Sequence, residues 1–483
     1  MKSNFKKNWI YSIIFISCFF ISVSLKSQTK DEVLSAIKMA TGFMMNSVSN
    51  RGGFVWTYAS DLSEQWGEIP ARKSQIWIQP PWTTSVGMTL LELYLVTNDE
   101  TYLHYAERVA NALIWGQHPS GGWHYFIDFD PTGIEKYYED IASNCWGWEE
   151  YYHYYGNCTF DDEVTASATR FLLSIYMTTL DPKYKIPVLK ALDFVLKSQY
   201  SCGAWPQRFP CPEDYTAYYT YNDDVIRGNI FLLLEAYEKL GIEDYKLAAY
   251  RGMDFYILSQ LPSPQAGWAQ QYSLDLQSAA ARTYEPSALL PQQTAGCIKD
   301  LELFYLITGN RKYLRPIPDA LQWLKKSVIN TDPAKNFTHA TFYEIGSNKP
   351  LYAHREGMDK KTGRYWVDYD STNIIDHYGL FTTIDITGLE KEYEYYNSLT
   401  PENAIAQYRE MKIKEDKITP PDRERVQIII STMDERGTWI TDIKIPYYPN
   451  YTLRDKQRTI KGFTTQMYIS NMNTLLNYLN SIK

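Results

Sequence analysis

Asp181-Pro182-Lys183-Tyr184 and Cys202-Gly203-Ala204-Trp205-Pro206-Gln207 bracket one apolar helical pattern, and Tyr221-Asn222-Asp223-Asp224 opens the next. The same order recurs along the chain. A turn bearing Asp or Asn leads to a Tyr that opens a helix, and about twenty residues later a small residue precedes an aromatic ring. The other turns are Asn98-Asp99-Glu100-Thr101-Tyr102, Ile242-Glu243-Asp244-Tyr245 and Gly309-Asn310-Arg311-Lys312-Tyr313. The rings that follow are Trp123, Trp205, Trp268 and, more loosely, Phe342. Tyr102, Ala106, Val109 and Leu113 share one helical face, and a second apolar helix precedes each turn. The repeating unit is therefore a helical hairpin that ends in a Gly-aromatic loop.

The ends of the chain fit the same unit. Glu32–Ser47 with Gly52-Gly53-Phe54-Val55-Trp56 reads as a second helix and its loop, whereas Phe463–Leu479 reads as a first helix alone. Together they make one hairpin if the ends meet. A further hairpin fits between Asn373 and Trp439, with Arg425–Met433 ahead of Gly437-Thr438-Trp439. The expectation is an all-α protein, an (α/α) toroid of about six hairpins whose N- and C-terminal helices close the ring. An open solenoid is the alternative. Residues 29–483 are expected to form this single catalytic domain.

Residues 1–28 read as a signal peptide, because Lys2, Lys6 and Lys7 precede an apolar, Ser-dotted run ending near Ser27-Gln28. No later stretch is long and apolar enough for a membrane span, so the protein is expected to be a periplasmic or secreted monomer. The formal net charge of -8 argues against nucleic acid as a partner. An acidic polysaccharide remains compatible if arginines line the cleft. The 41 tyrosines and 14 tryptophans suit a sugar cleft or a tightly packed helical core, and composition does not separate these. In an exported chain Cys202–Cys211 and Cys145–Cys158 are candidate disulfides, and Cys297 reads as a buried thiol.

Four clusters could carry chemistry: Trp205-Pro206-Gln207-Arg208 with Asn222-Asp223-Asp224; Trp268-Ala269-Gln270-Gln271-Tyr272; Ala281-Arg282-Thr283-Tyr284-Glu285; and Phe342-Tyr343-Glu344-Ile345 with His354-Arg355-Glu356-Gly357. Each has a structural reading as well. Asn222-Asp223-Asp224 ahead of an apolar run is a good helix N-cap, Arg282 and Glu285 could be a buried ion pair, and Trp205 and Trp268 could be packing joints of the repeat.

The order Gly-Ala-Trp-Pro-Gln, Asn-Asp-Asp, Trp-x-x-Gln-Tyr, Ala-Arg-x-Tyr-Glu, Tyr-Glu-Ile-Gly-Ser-Asn-Lys-Pro and Arg-Glu-Gly resembles the pectate lyases of polysaccharide lyase family ten, over roughly residues 115–370. Cys158-Thr159-Phe160-Asp161-Asp162 is similar to that family's Thr-Ile-Asp-Asn element. The resemblance implies β-elimination on a uronate polysaccharide. It points to Arg355 as the base, with a carboxylate clamp as its other role and His354 and Tyr352 as substitutes. Arg282, oriented by Glu285, would grip a uronate carboxylate, with Asn222, Gln271, Trp205 and Arg208 also binding substrate. Asp223 and Asp224 would be calcium ligands. Ser273 stands where the family pattern has a ligating Asp, with Asp275 two residues on, so calcium is in doubt. The alternatives are a glycoside hydrolase using Asp161, Asp162 or Asp224 on the same ring, or a non-catalytic sugar-binding homologue.

Overall fold

The computed structural model describes residues 29–80, 83–332, 334–357, 361–375, 381–415, 423–446 and 457–482, so the expected signal peptide lies outside the described residues. Helices dominate. In chain order they are α1 (Lys30–Phe43), α2 (Thr83–Thr97), α3 (Glu100–Trp115), the short α4 (Ile134–Asp140), α5 (Val164–Thr179), α6 (Pro182–Ser198) and α7 (Val225–Leu240). Then come α8 (Glu243–Leu258), α9 (Pro291–Thr308), α10 (Ile317–Lys326), α11 (Ile386–Ser398), α12 (Pro401–Glu415), α13 (Arg423–Thr432) and α14 (Thr465–Ser481).

The turn signals are helix caps. The Asp99 and Asp181 side chains accept from the backbone N–H two residues on, at the starts of α3 and α6, and Asn310 does the same for the 3-10 turn before α10. Tyr102, Tyr184, Tyr245 and Tyr313 that follow are all buried. At Tyr245 the cap is missing, because the preceding position is Ile242.

The Gly-aromatic loops are the joints between hairpins. The indole Nε1 of Trp123, Trp205, Trp268 and Trp439 each donates to a backbone carbonyl near the end of its own outer helix: Leu113, Val195, Tyr256 and Ile429, at 2.8–2.9 Å. A Gln beside the loop then ties the next hairpin on. Gln199 Nε2 donates to Gly203 O and to Ala248 O of α8, and Gln117 and Gln260 make the equivalent pairs to α6 and to the start of α10. The glycine lets the loop touch: Gly203 has φ +102°, and a Cβ there would lie 2.1 Å from Arg251 O. After α10 there is no Gly-Trp, and the ring carrying the joint is not Phe342. His339 Nε2, 2.9 Å from Leu324 O, takes the indole's place.

The two ends of the chain meet. Gly437, after α13, presses on Met39 O of α1 as Gly203 presses on α8. Thr41 and Tyr468 share a 3.0 Å hydrogen bond between α1 and α14, and strand Thr57–Ala59 pairs antiparallel with Gln457–Thr464. The split hairpin is thereby completed, α14 packs on α2, and one core runs through residues of every helix. The fifth unit departs from the expected two helices. Between α11, which lies along α9, and α13, which carries the outer-helix joint, α12 turns inward. Its Tyr408, Met411 and Lys412 share a cavity of about 530 Å³ with Arg170 of α5, Phe231 and Glu238 of α7 and Leu303 of α9.

The expected disulfides are absent: Cys145, Cys158, Cys202, Cys211 and Cys297 are all free thiols, and Cys297 is buried as expected. Cys158 Sγ instead lies 3.3 Å from Ser120 Oγ, and Cys211 Sγ lies 3.2 Å from the Tyr200 hydroxyl. Among the described residues no helix is long and apolar enough to cross a membrane.

Gly203→Ala combines a left-handed strain with a backbone clash, so it should cost about 3 kcal/mol in a denaturant titration. A change below about 0.5 kcal/mol would show that the joint does not hold the hairpins together.

Candidate active site

The inner helices α5 and α7 begin at the same end of the ring, and their lead-in turns follow one design. Phe160-Asp161-Asp162-Glu163 and Tyr221-Asn222-Asp223-Asp224 each make a 3-10 turn whose last two residues are left-handed. The φ values are 50° and 56° at Asp162 and Glu163, and 50° and 59° at Asp223 and Asp224. Neither helix takes a side-chain cap from its turn, so the N-cap reading of Asn222-Asp223-Asp224 falls. The strained backbone aims carboxylates across the ring end instead.

Arg282 stands between the two turns. Its guanidinium lies 3.3 Å from Glu150, 3.5 Å from Glu285, and 3.7 Å from both Asp161 and Asp223. Glu285 holds this arrangement by accepting the Arg282 backbone N–H at 2.9 Å and the Gln270 amide at 3.1 Å. Asn222 donates to Asp223 at 2.8 Å and reaches Glu285 at 3.5 Å. Opposite, the Tyr125 hydroxyl donates to Asp161 at 2.5 Å. One amide, Gln79 Nε2, donates to Asp162 at 2.6 Å and to Glu68 at 3.0 Å, and Tyr151 OH also donates to Glu68.

The cluster is crowded with charge and incompletely bonded. Asp161 Oδ1 is buried without a hydrogen-bond partner, and Arg282 Nε and Glu150 Oε2, also buried, meet each other only as an ion pair at 3.3 Å. Burial, with Asp161 and Glu68 nearby, pushes Asp162 up to about 8. Burial and the neighbouring Glu150 push Glu68 up to about 7, and burial lifts Glu150 to about 7 against the pull of Arg282. Asp223 is raised well above the carboxylate range by burial and by Asp161 and Asp162.

Several expected binding residues serve as support. Trp205 is fully buried with its indole nitrogen committed to Val195 O, so it offers no face to a sugar. Arg208 is equally buried, between the rings of Tyr125 and Tyr155 at 5.1 and 4.5 Å, and underpins the cluster through the Glu150 carbonyl. Gln271 is buried in the short strand pair with Tyr219–Thr220, and its neighbour Gln270 makes the link to Glu285. Glu285 itself is buried and works through Arg282.

The proposed calcium pair separates. Asp223 faces Asp161, Asp162 and Arg282, whereas Asp224 faces Arg227, Glu163 and Arg170. Asp275 lies near Tyr219 and not in this cluster. Among the described residues no group of three or more His, Cys, Asp or Glu could hold a metal ion.

Arg355 sits on the strand Pro350–Glu356 at the rim, its guanidinium 5.3 Å from the centre of the Trp146 ring. Trp146 leads to Gly147, whose carbonyl accepts the Tyr284 hydroxyl at 3.0 Å, which places Arg355 on the wall shared with the Arg282 turn. His354 is buried against Trp366, 3.0 Å from Asp368, and does not substitute for it; Tyr352 is buried too. Sequence reasoning missed Glu68, Gln79, Tyr125, Glu150 and Tyr151. Glu68 and Gln79 come from residues 29–114, which lie outside the stretch that resembles the lyases, and the packing of α2 on α5 brings them there.

Residues 147–376 match the family model described as pectic acid lyase, so the resemblance to that family holds over this stretch. None of the curated proteins matches the chain. Among solved structures, the chain is similar to a family 10 polysaccharide lyase from Cellvibrio cellulosa, an aspartate-to-alanine variant in complex with trigalacturonic acid. Identity there is 18%, covering 68% of this chain and 98% of that one, with a TM-score of 0.39. A D-mannose isomerase is similar at 12% identity, covering 94% and 98%, TM-score 0.43. A GH76 α-mannanase from Bacteroides thetaiotaomicron is similar at 9%, covering 93% and 96%, TM-score 0.42.

The raised acids make stability depend on pH. A carboxyl that holds its proton more tightly folded than unfolded stabilises the fold below its unfolded pKa, and loses that contribution as the pH rises through the folded value. The melting temperature should therefore fall as pH rises from about 5 to about 8, where Glu68, Glu150 and Asp162 ionise. Asp162→Asn should flatten the slope. Calorimetry that finds the same slope in this variant would contradict the assignment.

Proposed function

We propose that this chain is an exported polysaccharide lyase that cleaves an acidic, uronate-containing polysaccharide by β-elimination. The observation that carries the reading is the buried Arg282 set among Glu150, Asp161, Asp223 and Glu285 at 3.3–3.7 Å, in the stretch that matches the pectic acid lyase family. Asp161 Oδ1, buried beside this guanidinium without a hydrogen bond, is an acceptor that a bound ligand can satisfy.

Arg282 supplies donors for a uronate carboxylate, held in place by Glu285 and supported from below by Arg208. Neutralising that carboxylate acidifies the adjacent C5–H and stabilises the charge that develops when the proton leaves. The surrounding acids would repel an anion if ionised; protonated, they donate hydrogen bonds to it. Arg355 is the candidate for taking the C5 proton. The electron pair of that bond then forms the C4=C5 double bond as the C4–O bond breaks. Contact with the Trp146 face stabilises the charged guanidinium, so a basic Arg355 has to give up that contact when substrate enters. No step is routed through calcium, since Asp223 and Asp224 face different neighbours.

Incubation with polygalacturonate and other uronate polymers, with and without a chelator, should generate the ultraviolet absorbance of unsaturated ends. Arg355→Ala should lower kcat at least ~100-fold if it is the base. A raised KM with kcat retained would make it a carboxylate clamp instead. One observation favours a second reading, a glycoside hydrolase: the adjacent carboxyls of Asp161 and Asp162, one held by Tyr125 and the other pushed up to about 8. Saturated reducing ends would select it, and binding without turnover would leave a sugar-binding protein.

A further inference from the structure

Residues 29–114 bring a second set of polar groups to the ring end that carries Arg282. The orientation of the Gln79 amide is fixed by its partners. Its Oε1 accepts the indole N–H of Trp77 at 3.0 Å, and indole can only donate, so Nε2 must face the other way. The two N–H groups of that nitrogen go to Asp162 Oδ2 and Glu68 Oε2, at 2.6 and 3.0 Å. Two carboxyl groups from distant parts of the chain are thus held on one amide. Glu68 is held a second time, by Tyr151 OH at 2.9 Å. Asp162 is held in addition by its left-handed backbone.

We infer that Asp162 is the general acid of the elimination, protonating the departing C4 oxygen, and that Gln79 and Glu68 position it. This rests on the lyase reading above. The step balances without a co-reactant: the C5 proton goes to the base, the C5–H electrons form C4=C5, the C4–O electrons stay on oxygen, and Asp162 gives that oxygen its proton. A polysaccharide hydroxyl is a poor leaving group as an alkoxide, so this donation lowers the barrier directly. The surroundings of Asp162 favour the protonated form: burial, Asp161, Glu68 and Asp223 oppose a negative charge there and outweigh the Gln79 hydrogen bond and Arg282, which favour one. An Asp at this position can donate where the Asn of the resembling element cannot act as an acid.

The test separates protonation of the leaving group from every other role. Asp162→Asn keeps the size, tolerates the left-handed backbone and still accepts from Gln79. On polygalacturonate it should lower kcat roughly 100- to 10,000-fold. On a galacturonate carrying 4-nitrophenoxy at C4, which leaves without a proton, the loss should stay under about tenfold. Equal losses on both substrates would overturn the assignment. If the wild-type chain forms no unsaturated product from either substrate, the lyase reading itself fails, which is a different result. For positioning, wild-type kcat should fall as the pH passes about 8, and Glu68→Gln, which removes a like charge, should move that fall to lower pH. An unmoved fall would make Glu68 and Gln79 structural only.

Discussion

A glycine pressed against the backbone of the next outer helix is the contact on which this molecule depends. At Gly52, Gly121, Gly203 and Gly437 an added Cβ would meet backbone atoms of α3, α6, α8 and α1 respectively, at 2.6 Å or less. The last contact joins the end of the chain to its beginning. Each hairpin buries its sides against two neighbours, as repeat units must, and no terminal unit is left needing a cap. The loops at the ring end then stand on a frame braced from both sides. That is the condition for placing charged groups within hydrogen-bond tolerance of one another.

On that frame the electrostatics are unbalanced. One buried guanidinium faces Glu150, Asp161, Asp223 and Glu285, with Glu68 and Asp162 beyond. A purely structural ion pair would match charge with charge and satisfy every donor, because a broken buried pair is strongly destabilising. Here burial and like charge raise Glu68, Glu150, Asp162 and Asp223, so protons held on these four absorb excess negative charge. The arrangement suits an anionic ligand better than the residue count suggests, since neutral carboxyl groups donate where carboxylates repel.

The repeat was legible because its signals are local. Asp181 and Asn310 cap helices within two residues, and Gly203 and Trp205 act within one loop and its own helix. Arg282 was legible as a hub because its partner Glu285 lies three residues away. What the sequence hides is direction and distance. Nothing local says that Trp205 and Arg208 face inward, or that Gln270 and not Gln271 reaches the cluster. Glu68 and Gln79 come to Asp162 only through the packing of α2 on α5, and α12 shares a cavity with α5, α7 and α9 where two plain helices were expected. The abundance of tyrosine also resolves in part towards packing. Tyr184, Tyr221 and Tyr256 bury their rings and give their hydroxyls to Glu107, Ser259 and Asp300.

The paired left-handed residues of the lead-in turns have one more consequence. Asp162, Glu163, Asp223 and Asp224 sit where glycine would be more comfortable, each at a cost on the order of 1–3 kcal/mol. A chain shaped by robustness alone would relax both turns with glycine and gain heat tolerance. Keeping acids at all four positions trades thermal endurance for placement. Any effort to make this protein hardier will therefore meet, at Asp162 and Asp223, two of the residues that face the buried charge cluster.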